Sequence, residues 1–148
     1  MISLGDLYLV DRDGKPFKRL QPGDGMDLPL LTGVSREEYV ASPEQAAESF
    51  RRALAALASY VRVEKAEPIS EVHIAPRSLT LITTGGAELR FGEDASAEKL
   101  ARLSRVRAEL ARRGLAAEVI HLDNRARPGW VTVKLSTSPS ERRSGSIP

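Results

Sequence analysis

Residues 69–91 run Ile69-Ser70-Glu71-Val72-His73-Ile74-Ala75, Pro76-Arg77, Ser78-Leu79-Thr80-Leu81-Ile82-Thr83-Thr84, Gly85-Gly86 and Ala87-Glu88-Leu89-Arg90-Phe91. The pattern predicts three short strands, at about 69–75, 78–84 and 87–91. In the middle one Leu79 and Leu81 alternate with Thr80, the period of a half-buried strand. Gly85-Gly86 joins the last two and favours a tight hairpin turn. This stretch is a meander, and the helices are read outward from it.

Downstream, Ser96 as N-cap and Gly114 as left-handed terminator bracket a helix whose Leu100, Leu103, Val106 and Leu110 fall on one face. Upstream, Ser42-Pro43-Glu44-Gln45 has the pattern of a capping box with proline at the first helical position. Phe50, Leu54, Leu57 and Val61 then recur at helical spacing. Before that helix, residues 6–20 read as a hairpin turning at Asp11-Arg12-Asp13-Gly14. In Leu28-Pro29-Leu30-Leu31-Thr32-Gly33 the proline points to an edge or an extended segment. After the second helix come strands at Val119-Ile120-His121-Leu122 and Trp130-Val131-Thr132-Val133-Lys134-Leu135. Ser136 to Pro148 holds five serines and one aliphatic side chain, and is expected to be a disordered tail. The expectation is an α+β domain, a mostly antiparallel sheet covered on one face by two main helices.

Composition bounds the function. A chain of 148 residues with 41% hydrophobic and 28% charged residues is one ordinary globular domain. A net charge of +2 gives no concentrated basic face, so no nucleic-acid partner is indicated. Cysteine is absent, which excludes disulfides, thiolate zinc sites and cysteine nucleophiles. No apolar run is long enough to span a membrane, so any anchor or export signal is expected outside these residues.

No catalytic constellation stands out. His73 and His121 each lie inside a strand pattern and read as structural or surface histidines. No spacing suits a metal, Gly23-Asp24-Gly25 and Gly85-Gly86 lack the features of a phosphate loop, and no cofactor or small-molecule substrate is expected. The second helix carries Lys99, Arg102, Arg105, Arg107, Arg112 and Arg113 against Glu98 and Glu109. That is a solvated face, or a surface over 96–113 for an acidic protein partner of a soluble adaptor. In the last strand Val131, Val133 and Leu135 alternate with Trp130, Thr132 and Lys134. It is either a central strand or an edge, and an open edge invites strand addition.

Leu9-Val10-Asp11, Gly14, Phe17, Leu28-Pro29 and Leu31-Thr32-Gly33 are followed in order by Ile69-Ser70-Glu71-Val72, Leu79, Leu81, Leu89 and Phe91-Gly92. Lys99-Leu100, Arg102-Leu103, Val106 and Ile120-His121-Leu122-Asp123-Asn124-Arg125 complete the series. On these residues, from about 6 to 135, the chain resembles the C-terminal extracytoplasmic β domain of the FtsQ/DivIB bacterial cell-division family. The resemblance implies residues 1–135 as this domain and 136–148 as a tail. It also implies a cytoplasmic tail, a single membrane helix of the inner membrane and a POTRA domain ahead of residue 1, the POTRA domain recruiting other divisome components. It further implies a non-enzymatic periplasmic scaffold that binds FtsB and FtsL and helps time septal peptidoglycan synthesis. Partner binding would fall to Asp123, Arg125 and the strand Trp130, Val131, Thr132, Val133, Lys134 and Leu135, with Arg125 pairing an acidic residue of FtsB. The sequence departs from the family pattern at Ala126, where an aromatic is frequent, and at the compact turn Arg127-Pro128-Gly129.

Overall fold

A computed structural model describes residues 1–137. Among them are strands β1 (Ile2–Leu4), β2 (Asp6–Val10), β3 (Pro16–Arg19), β4 (Leu30–Thr32), β5 (Ile69–Ala75), β6 (Ser78–Thr83), β7 (Glu88–Gly92), β8 (Ala117–His121) and β9 (Thr132–Leu135). The helices are α1 (Arg36–Ala41), α2 (Pro43–Tyr60) and α3 (Ala97–Arg112). The strands form one sheet in the order β3-β2-β1-β4-β5-β6-β7-β8-β9. Residues 138–148 of the expected tail lie outside the described residues.

The fold is α+β, and its sheet is mixed. Five pairings are antiparallel, whereas β1–β4, β4–β5 and β7–β8 are parallel. Two of the parallel pairs follow from the helices: α1 and α2 carry the chain from β4 to its neighbour β5, and α3 from β7 to β8, the crossovers that parallel neighbours require. Because both crossovers advance the same way along the sheet, one handedness puts their helices on the same face. Phe50 and Ala53 of α2 and Leu100 and Leu103 of α3 accordingly join one core with the sheet.

That core face can be followed strand by strand in the register. Tyr8, Ile2, Leu31, Val72, Leu81, Leu89, Ile120 and Val133 are successive cross-strand partners. The six residues from Ile2 to Ile120 in that row are buried. One residue along, Thr32, His73, Thr80, Arg90, His121 and Thr132 form the matching row on the opposite face, exposed or half-buried throughout. Alternation of side chains therefore divides the sheet into an apolar face under helices and a polar open face.

The helices differ from expectation in detail. The capping box belongs to α1: Ser35 Oγ accepts from Glu38 N at 3.1 Å and Glu38 Oε2 accepts from Ser35 N at 2.7 Å. These bonds hold the Glu38 carboxyl below the usual range. α1 is a third helix, and its six residues bury no side chain, so it offered no apolar stripe. α2 does begin at Pro43, but Ser42 makes no side-chain cap, because its backbone N–H closes α1 on Glu38 O. The buried stripe of α2 is Ala46, Ala47, Phe50, Ala53, Ala56 and Tyr60, four alanines that allow close approach to the sheet and two aromatics that fill the core beneath it. Leu54 and Leu57 are half-buried, and Val61, past the helix end, is exposed. α3 has the expected caps, with Ser96 at its start and Gly114 at φ +66° after its end.

Two segments near the N-terminus also depart from expectation. β1 was not anticipated, and β4 lies inside the sheet between β1 and β5 rather than at an edge. Pro29 stands one residue before β4, where its missing N–H costs no ladder bond, and its carbonyl accepts from the Met1 amine at 2.9 Å. Gly33, at φ +97°, passes so close to the Ile74 carbonyl that a β-carbon would overlap it.

Candidate partner-binding edge

β9 ends the sheet. It pairs with β8 alone, so one of its sides carries backbone groups with no strand partner among the described residues. The N–H groups on that side can be identified. Ser136 N donates to Ala116 O at 2.8 Å, so Ser136 faces β8. N–H and C=O alternate sides along a strand, so Lys134 and Thr132 also face β8, and Val133 and Leu135 aim theirs outward.

The strand is shorter than expected. Trp130 and Val131 precede it, and Trp130 N–H is spent in a turn, donating to Arg127 O at 2.9 Å. Val131 and Val133 pack against the core, whereas Leu135 at the strand's end is 44% exposed. Lys134 reaches back to Glu118 at 3.0 Å, a cross-strand ion pair on the surface. Trp130 is 61% exposed, and the Arg127 guanidinium carbon sits 4.4 Å from its ring centroid.

The turn leading into β9 starts at Asp123, whose Oδ1 is 3.6 Å from His121 Nδ1. Asn124 Oδ1 accepts from Arg127 N at 2.9 Å. Arg125 is exposed and lines an open cleft with Arg77, Glu93, Lys99, Arg102 and Asp123. Parallel topology assembles this cleft: the β5–β6 turn, the β7–α3 loop and the β8–β9 turn all leave the carboxyl ends of the parallel strands β5, β7 and β8. Arg77 Nε donates to Glu93 Oε1 at 2.9 Å and holds that carboxyl below its usual range, with Arg125 adding to the effect. Arg77, Glu93 and the anchoring role of Arg102 were not read from the sequence, since only the convergence of three loops brings them to Arg125.

The basic helix is not a uniform free surface. Lys99 Nζ donates to Phe91 O at 2.7 Å and to Asp94 Oδ1 at 3.0 Å. Arg102 donates to Glu98 O and Pro128 O. Arg107 Nη2 donates to the Tyr60 hydroxyl at 2.8 Å, and Arg112 and Arg113 both bind Glu109. Their hydrogen bonds lower the Glu109 pKa, Arg112 contributing most.

The two histidines are not brought together. On the open face, β5 and β8 are three strand spacings apart, about 14 Å. His73 Nδ1 lies 3.1 Å from Thr32 Oγ1. Among the described residues no group of three or more His, Asp or Glu is arranged to hold a metal ion, and no helix is long and apolar enough to cross a membrane.

Comparison with known proteins gives a consistent family. The profile described as "Cell division protein FtsQ/DivIB, C-terminal" matches residues 2–123. Cell division protein FtsQ of Myxococcus fulvus is 56% identical over 149 residues, covering 99% of this chain and 52% of the relative. Cell division protein FtsQ of Anaeromyxobacter sp. is 43% identical over 92% of this chain and 47% of the relative, and that of Geobacter sp. 36% identical over 82% and 46%. The chain thus spans about half the length of the curated relatives it matches. By the family profile over most of its length and by its identity to these relatives, the chain belongs to the FtsQ/DivIB family of cell division proteins.

Proposed function

We propose that residues 1–135 are the β domain of a non-enzymatic divisome scaffold that takes up a strand of FtsB, held in its pair with FtsL, along the free side of β9. Residues 136–148 are the tail of that domain. In the full-length protein a cytoplasmic tail, one inner-membrane helix and a POTRA domain precede it. The domain works in the periplasm, where docking helps set the start of septal peptidoglycan synthesis, and the POTRA domain contacts other divisome components.

The observation that carries this reading is the terminal position of β9, with the Val133 and Leu135 N–H groups directed away from β8. Strand addition draws affinity from main-chain hydrogen bonds and tolerates drift in side chains. Register and partner choice then need a charged contact, which Arg125 would supply; its exposure in a cleft shared with Arg77 supports this. Asp123 and Thr132 flank that contact, Val131 and Val133 fix the strand on the core, and Lys134 and Leu135 continue the edge.

Trp130, the single tryptophan, reports on docking. Titrating the chain with a tryptophan-free peptide from the segment after the coiled coil of the cognate FtsB is expected to give a saturable fluorescence change. Silence in both fluorescence and calorimetry would overturn strand addition at β9.

A further inference from the structure

We infer that Arg102 is a positioning residue that holds the β8–β9 turn, and with it Arg125, in the orientation the partner meets. The inference rests on the β9-edge reading above.

Arg102 sits in the first half of α3, yet its side chain is only 14% exposed. Its guanidinium is committed to backbone oxygens of two segments: Nε donates to Glu98 O at 3.3 Å within α3, and Nη1 donates to Pro128 O in the turn. The nearest carboxylate oxygen, Glu98 Oε2, stands 3.9 Å away. A charge used in this way ties chain to chain.

The turn has little else to hold it. Residues 125–130 are exposed at every position, so burial does not anchor them. Their other recorded contacts are internal: Arg127 N to Asn124 Oδ1, Trp130 N to Arg127 O, and Arg127 stacked over Trp130. A gap bordered by Ala101, Arg105 and Gly129 remains between the turn and α3. Among the described residues, the Arg102–Pro128 bond is the one hydrogen bond joining 124–130 to the rest of the fold. Joined to β8 and β9 at its two ends, the internally folded turn has this one bond fixing its tilt against α3; without it the turn swings on those ends, and Arg125 moves with it. Apparent affinity then falls by the fraction of molecules whose turn is still in place.

The test uses the whole chain and the peptide of the titration above. Arg102→Ala is expected to weaken binding about tenfold and, in the free chain, to lower Trp130 anisotropy and raise its quenching by iodide. Arg102→Lys, which keeps the charge but reaches one carbonyl rather than two, should recover part of the loss. It also serves as the probe if the alanine variant folds poorly. In an Arg125→Ala background the cost of Arg102→Ala should shrink to under about twofold, because Arg102 acts through Arg125. Wild-type affinity in Arg102→Ala, or an undiminished cost in the Arg125→Ala background, would overturn the positioning role while leaving the β9 edge intact. Failure of the wild-type chain itself to bind would remove the edge reading and this role together.

Discussion

Arg125→Glu is expected to weaken partner binding by about 2–5 kcal/mol, the cost typical of disrupting a desolvated charged pair at an interface. That is at least about thirtyfold in Kd. The fold should not suffer. Arg125 is exposed and makes no recorded hydrogen bond among the described residues, so the thermal transition should stay where it is. The loss comes from the cleft it shares with Arg77, Lys99 and Arg102 and with the carboxylates Glu93, Asp94, Glu98 and Asp123. Arg77 and Lys99 are already paired there, so Arg125 is the cation offered to an acidic partner side chain, part of which would leave water. Calorimetry at two salt concentrations checks the cause, since a solvent-exposed pair is screened by salt and a desolvated one much less so. Unchanged affinity would take Arg125 out of the interface.

The second large effect separates two neighbouring positions. Leu135→Pro removes an outward backbone N–H at a residue that is already 44% exposed, so binding should be lost while the domain stays folded. Lys134→Pro removes an N–H that faces β8 and takes away the Glu118 ion pair. The missing ladder bond alone costs about 1 kcal/mol, and with the proline ring's clash it should lower Tm by several degrees. Peptide calorimetry read beside thermal melts distinguishes them. If Lys134→Pro impaired binding alone and Leu135→Pro impaired folding alone, the strand would face the other way.

What could be read from residues alone follows a physical boundary. The 69–91 meander was legible because alternation and a glycine pair are local signals, and the three strands stand within a residue or so of their expected limits. α3 was legible because both caps and its apolar stripe are written in sequence. β1 was missed because three residues carry too little period. α1 was missed because it buries nothing; Ser42 is the N-cap of α2 with Pro43 at its first position, as read, but it makes no side-chain cap, and the capping box is formed by Ser35 and Glu38 at α1. Proline at position 29 suggested an edge, yet β4 is interior, since a ladder tolerates proline just ahead of the strand. At the candidate site, the last strand was legible from its alternation, and Arg125 was singled out only through the family resemblance. Arg77, Glu93 and Arg102 were not, because they meet only after β7 and β8 pair in parallel and bring separate loops to one end of the sheet.

Amide hydrogen exchange along β9, followed by NMR with and without the FtsB peptide, tests strand addition most directly. The Val133 and Leu135 amides should exchange quickly in the free chain and become protected on binding, with Thr132 and Lys134 changing little. Binding that leaves Val133 and Leu135 unprotected, and protects amides of α3 instead, would contradict a partner strand on this edge.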